Sequence, residues 1–168
     1  MVDSDIKNRQ RIAVIGGSKA TAEILEMAKE CGRLIAKNNA ILVTGGLGGV
    51  MEAASMGAKE AGGLTVGVLP GRDKDRANKY IDFAILTGLG EIRNALVIMN
   101  ADSVIAIDGS YGTLNEISHA LISKKPLFAV KSWHIAQGEG ERKRGELIHC
   151  ETVEEAVKKA VLAGTKDG

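Results

Sequence analysis

Aromatic side chains are scarce. They make up 3% of the 168-residue sequence, with one tryptophan, two tyrosines and two phenylalanines. A protein that grips single-stranded nucleic acid by stacking bases needs more rings than that. An excess of one charge is missing too. The chain carries 22 basic and 21 acidic side chains, a net charge of +1, whereas nucleic-acid binders usually show a basic excess and a patch. No nucleic-acid partner is therefore expected. No run approaches the roughly 20 apolar residues of a membrane span, and Met1 to Arg11 is polar, unlike a secretory signal. A cytoplasmic protein with no membrane partner is the expectation. The two cysteines, Cys31 and Cys150, lie far apart without metal-ligand spacing and read as free thiols in a reducing compartment. His119, His134 and His149 are dispersed, so no metal site is expected.

Glycine is abundant, at 21 residues. It is clustered rather than periodic, which points to turns where backbone must approach something closely. Short apolar runs punctuate the chain: Ile12–Ile15, Ala40–Thr44, Leu64–Leu69, Phe83–Leu86, Ser103–Ile107 and Pro126–Val130. Between them lie helical patterns at Thr21–Lys37, Val50–Ala61, Glu91–Asn100 and Thr113–Ser123, with a last one at Thr152–Leu162. Short continuous apolar strands alternating with helices imply a parallel sheet covered on both faces. The expectation is an α/β, three-layer, Rossmann-like domain with a mostly parallel sheet of six to seven strands. It spans residues 1–168 as one unit, with a polar tail at 1–10.

In such a sheet, ligands bind outside the carboxyl ends of the strands. Those positions hold Gly16-Gly17-Ser18, Thr44 to Gly49, Leu69 to Arg72, Thr87 to Gly90, and Asp108 to Thr113. The run Asp108-Gly109-Ser110-Tyr111-Gly112-Thr113 leads from a strand into a helix. Its glycines let amide groups point outward, and a helix start adds unpaired N–H groups and about half a positive charge, a natural seat for phosphate. The competing reading is a tight turn with a capping box, Thr113 to Glu116. The Thr44–Gly49 loop lacks both the dinucleotide fingerprint and the Walker lysine. Arg93, about one turn into its helix, can clamp a phosphate or carboxylate, or it can face solvent or pair with an acid. The charged stretches Gly71–Lys79 and Gln137–Arg144 read as solvated connections, and the first, following a strand end, also as a lid.

Taken together, Thr44-Gly-Gly-Leu-Gly-Gly-Val-Met51, Gly57-Ala-Lys-Glu-Ala-Gly-Gly63 and Val66-Gly-Val-Leu-Pro-Gly71 resemble the LOG-type Rossmann superfamily, once labelled "possible lysine decarboxylase". That superfamily includes cytokinin-riboside-monophosphate phosphoribohydrolases and molybdenum-cofactor carrier proteins. The resemblance covers about Arg11 to Ala163, and in wording it is nearer the carriers. The hydrolase signature is Pro-Gly-Gly-x-Gly-Thr-x-x-Glu. Here Asp108 and Ser110 depart from it, while Gly109, Gly112, Thr113 and Glu116 match. The hydrolases also carry an Arg-Lys pair in the preceding helix, which reads Arg93-Asn94 here.

By that resemblance Arg93 and Glu116 are the candidate catalytic pair of a hydrolase. The candidate ligand-binding set is Gly16, Gly17, Ser18, Gly45, Gly46, Gly48, Gly49, Asp108, Gly109, Ser110, Gly112 and Thr113. Asp108 either repels phosphate, meets a ribose hydroxyl or pairs with Arg93. The implied function is binding or carrying a phosphorylated nucleotide-type ligand, with molybdenum cofactor one candidate cargo and no cofactor required. The alternative is cleavage of the N-glycosidic bond of a nucleoside 5′-monophosphate. A pyridoxal-dependent decarboxylase is disfavoured, since Lys19 is the one lysine near these glycine loops. A homodimer or homotetramer is implied, and the Ala- and Met-rich helix Met51–Ala61 offers a surface for a second copy.

Overall fold

The structure is a computed structural model that describes residues 5–136 and 145–164. The charged stretch Gln137–Arg144 lies outside the described residues. Seven strands form one sheet: β1 (Arg11–Gly16), β2 (Ile41–Thr44), β3 (Thr65–Leu69), β4 (Phe83–Leu86), β5 (Ser103–Ile107), β6 (Leu127–Val130) and β7 (Leu147–His149). Their order is β4-β3-β2-β1-β5-β6-β7, and every pairing is parallel. The helices are α1 (Ala22–Lys37), α2 (Val50–Glu60), α3 (Asn94–Met99), α4 (Tyr111–Ile122) and α5 (Val153–Gly164).

Strand alternation splits the core in two. Ile12, Val14, Leu42, Ile105 and Ile107 point to a layer with buried residues of α1, α2 and α5. Ala13, Ile15, Val43, Val104 and Ala106 point the other way, to α3 and α4. This is the three-layer Rossmann-like arrangement that the sequence implies. The strand order runs outward in both directions from the β1/β5 pair. The chain leaves β1 for a helix on one face and β5 for a helix on the other, so a crevice opens between their carboxyl ends. Such a switch point is where open α/β sheets take their ligands.

Five local features differ from the sequence reading. The helix expected at Glu91–Asn100 is a 3-10 turn, Gly90–Arg93, followed by the short α3. β4 reads as a buried strand but forms the edge of the sheet, exposed along its length with Phe83 61% accessible. Val153–Gly164 is preceded by the three-residue strand β7, too short to leave a hydrophobic pattern. One side of α2, the helix suggested as a surface for a second copy, packs on α1. A Cβ on Gly57 would overlap Lys29 O, and one on Gly32 would overlap Ala54 O, so these two helices touch backbone to backbone. The polar N-terminal stretch is also partly docked: Gln10 O accepts from Ile41 N at 2.7 Å, and Gln10 Nε2 donates to Val161 O at 2.9 Å.

Candidate functional site

Three glycine loops lie side by side at the carboxyl ends of β2, β1 and β5. Gly16 ends β1, and a side chain there would strike Val50 and the carbonyl of Ile107. Gly17 O accepts from Val50 N at 3.0 Å, which occupies the first amide of α2. Gly49, at φ 67°, is pressed against Gly17 and Ser18. A residue with a Cβ fits neither that φ nor that space. Gly46 turns inward: Gly67 lies beneath it, its N–H donates to Thr44 Oγ1, and its carbonyl accepts from Asn78 N. Gly48 is open, with only Glu52 Oε2 near its Cβ position, at 3.9 Å.

The fourth crossover helix is open at its start. α4 begins at Tyr111, with Ser110 as N-cap, and the Ser110 side chain makes no capping bond. Thr113 is therefore the third helical residue, and the expected Thr113–Glu116 capping box does not form. Among the described residues no protein acceptor takes the N–H groups of Tyr111, Gly112 or Thr113. By contrast, α1 is capped by Thr21 Oγ1, which accepts from Ile24 N at 3.4 Å. Gly112 has open space at its Cβ position, with Ser110 Oγ nearest at 3.9 Å.

Two carbonyls of this loop accept side-chain bonds, and the Ser110 carbonyl also takes the first helical bond, from Leu114 N at 3.0 Å. Ser132 Oγ donates to Asp108 O at 2.6 Å, and Trp133 Nε1 donates to Ser110 O at 3.2 Å. Asp108 itself is left-handed, at φ 53°, followed by Gly109 at φ 129°. Aspartate tolerates that conformation better than most residues. Among the described residues no ion pair joins Asp108 to Arg93. Thr113 is buried, and its Oγ1 has no hydrogen-bond partner. A Cβ on Gly109 would come within 2.7 Å of that oxygen, so the Gly109 peptide covers it.

Arg93 and Glu116 are both buried. Each is 7% exposed. The Arg93 guanidinium lies across Gly45: a Cβ there would overlap Nη1 and sit 2.9 Å from Cζ. Arg93 Nε is buried without a partner. Burial pushes the Glu116 carboxyl up to about 7, against the pull of the Arg93 charge. The same burial lowers the guanidinium from its ordinary value, with Glu116 opposing. No ion pair joins the two among the described residues. A basic and an acidic group are therefore both held at low dielectric, each shifted mainly by its burial.

A family model described as the SLOG cluster4 family matches residues 9–157. The chain belongs to that family. Among curated proteins, this SLOG cluster4 chain is similar to the cytokinin riboside 5′-monophosphate phosphoribohydrolase of Mycobacterium tuberculosis, 34% identical over 140 residues, 77% of this chain and 74% of that protein. Among solved structures it is similar to the molybdenum cofactor carrier protein of Chlamydomonas reinhardtii, with a TM-score of 0.81 and 34% identity over 94% of this chain and 99% of that one. It is also similar to the molybdenum cofactor binding protein of Rippkaea orientalis, with a TM-score of 0.80, 33% identity and coverage of 89% and 94%.

Several residues that shape the site were not singled out from sequence. Ser132 and Trp133 follow the carboxyl end of β6, so the edge rule that flagged the glycine loops points to them as well. Trp133 reads instead as core or interface. Asn78 lies in the charged loop after β3 and donates from Nδ2 to Leu47 O at 2.9 Å. With its bond to Gly46, it fastens that end of the proposed lid to the second glycine loop. Asn94 stands where the hydrolase signature has lysine, and its Nδ2 donates to Asn115 Oδ1 at 3.3 Å.

Proposed function

We propose that this protein binds a phosphorylated nucleotide-type ligand at the β1/β5 crevice, as a carrier or binding protein. The uncapped start of α4 carries this reading. Tyr111, Gly112 and Thr113 present free amides at the positive end of a three-turn helix, the arrangement that receives a phosphate. Ser132 and Trp133 bond the Asp108 and Ser110 carbonyls and so fix the course of the loop beside those amides. Asp108 has no cationic partner in the protein among the described residues. Its carboxylate suits a sugar or pterin hydroxyl and not the phosphate, which it would repel by about 1 kcal/mol at 4 Å in water. Gly17, Ser18 and Gly48 complete the rim, and molybdenum cofactor, the cargo named for two similar structures, is the leading candidate ligand. Thermal shift and calorimetry with AMP, inorganic pyrophosphate and pterin phosphates test the reading. A set of phosphate-bearing compounds that neither stabilises the fold nor releases heat removes it.

A second reading rests on a separate observation, the buried Arg93 and Glu116. A carboxyl brought to about 7 exchanges a proton readily at neutral pH, which suits a general acid or base. In a nucleoside 5′-monophosphate, the C1′–N bond breaks with positive charge growing on the sugar and the electron pair leaving with the base. Ionised Glu116 stabilises that charge or takes a proton from the attacking water, and Arg93 holds the phosphate or the leaving base. Release of free adenine from AMP decides between the readings. Carriage predicts none. Hydrolysis predicts a rate that falls at least about 100-fold in Glu116→Gln. Assembly as a homodimer or homotetramer and a cytoplasmic location accompany both readings, and a monomeric elution profile would remove the first of these.

A further inference from the structure

A groove of about 480 Å³ runs between α3 and α4 and begins at the free amides described above. Tyr111 stands at its head, 82% exposed, with its ring tilted 38° against Trp133 at a centroid separation of 5.8 Å. Ile92 and Ala95 supply apolar surface. Asn115 lies one helical turn beyond Tyr111 on the same face of α4, and its amide meets that of Asn94 across the groove. Asn94 is 9% exposed, and the single bond between the two amides uses one donor and one acceptor. Each amide group carries two donors and two acceptor sites, so a donor and an acceptor remain side by side along the groove.

An exposed ring, an apolar wall and a paired donor and acceptor are what a flat, nitrogen-rich heterocycle needs. We infer that this groove holds the heterocycle of the ligand, a purine or a pterin, stacked on Tyr111 with its amide-like edge against Asn94 and Asn115. The inference rests on the phosphate reading above, because Gly112 belongs both to the anion seat and to the groove. A phosphate on the start of α4 leaves the remainder of the molecule directed along the helix surface. Glu116, one residue past Asn115 and turned about 100° around the helix, then flanks the connecting sugar.

The test uses two probes and the full chain. Ribose 5-phosphate carries the anion without a ring, and AMP carries both. Affinities are measured by calorimetry. Fluorescence of Trp133, the single tryptophan, serves as a local reporter. Wild-type protein is expected to bind AMP more tightly than ribose 5-phosphate, with tryptophan quenching by AMP alone. Tyr111→Ala and Asn115→Ala, both at exposed positions, are expected to weaken AMP about 10-fold, and Asn115→Ala is expected to leave ribose 5-phosphate where it was. Tyr111→Phe restores AMP affinity. Equal AMP affinity in wild type and both alanine variants, with ribose 5-phosphate still bound, overturns the groove assignment and spares the anion seat. Failure of wild type to bind either probe overturns the anion seat and the groove together.

Discussion

Two residues of the candidate site, Glu116 and Gly45, answer to simple perturbation. Glu116 holds its proton more firmly in the folded chain than in the unfolded one, with a carboxyl raised from 4.5 to about 7. The native state therefore binds more protons than the unfolded state across that window, and stability falls as pH rises through it. At 1.36 kcal/mol per pK unit the full swing is about 3 kcal/mol. Glu116→Gln keeps the shape and removes the ionisation. The variant is expected to melt above wild type at pH 8, with the gap closing as pH falls toward 4.5. Parallel melting curves from pH 4.5 to 8.5 measure it, and a gap independent of pH contradicts the burial argument. Gly45 makes the complementary case. Its missing side chain is the space occupied by the Arg93 guanidinium and faces Met51 Sδ at 2.7 Å. Gly45→Ala must push a buried arginine aside, at about 1–3 kcal/mol of overpacking. Ligand affinity is expected to fall more steeply than the melting temperature, because the arginine moves while the sheet beneath it stays.

At the scale of elements, the α1/α2 contact and the β6 clamp show what a sequence reveals and what it conceals. The strands and most helices are legible because apolar periodicity survives in the text. Buried parallel strands read as continuous apolar runs, and β1, β2, β3, β5 and β6 fall within one residue of their expected ends. The glycine loops are legible because topology places them together. β4 misleads for a physical reason: its Phe-Ala-Ile-Leu composition is that of a core strand, yet among the described residues no strand lies beyond it in the sheet and its side chains stay exposed. The α1/α2 contact is hidden because Gly32 and Gly57 carry no pattern of their own. Replacing Gly57 with alanine gains about 1 kcal/mol of helix propensity. It also drives a methyl into the Lys29 carbonyl, whose carbon would lie 2.7 Å away. Backbone cannot step aside as a side-chain tip can, so overpacking near the upper end of its range leaves a net loss of about 2 kcal/mol, expected in denaturant titration. The β6 clamp is concealed because it is made of single hydrogen bonds. Ser132→Ala removes the donor to the Asp108 carbonyl, worth about 1 kcal/mol. Phosphate-ligand affinity is expected to drop about fivefold in calorimetry while the melting temperature moves by only a few degrees. A loss of stability without loss of affinity would make Ser132 a packing residue alone.

At the scale of the whole molecule, the crevice joins the two halves of the core. The loop after β1 enters the layer of α1, α2 and α5, and the loop after β5 enters the layer of α3 and α4. A ligand that rests on both holds the layers in register, so its binding energy adds to the stability of the entire fold. The linkage is quantitative: a ligand at 100 times its dissociation constant, bound only by the native state, contributes about 2.7 kcal/mol. In a domain of this size each kcal/mol raises the melting temperature by about 2–4 °C, so saturating ligand is expected to raise it by about 5–10 °C. At the proposed anion seat, formed by helix amides at the protein surface, salt is expected to compete with the phosphate. Raising ionic strength from 0.01 M to 0.15 M shortens the screening length from about 30 Å to about 8 Å. The ligand-induced shift is expected to shrink over that range, while the melting temperature of the free protein, with its near-zero net charge, changes little. A shift that survives salt unchanged would mean that the heterocycle, and not the phosphate, carries the affinity.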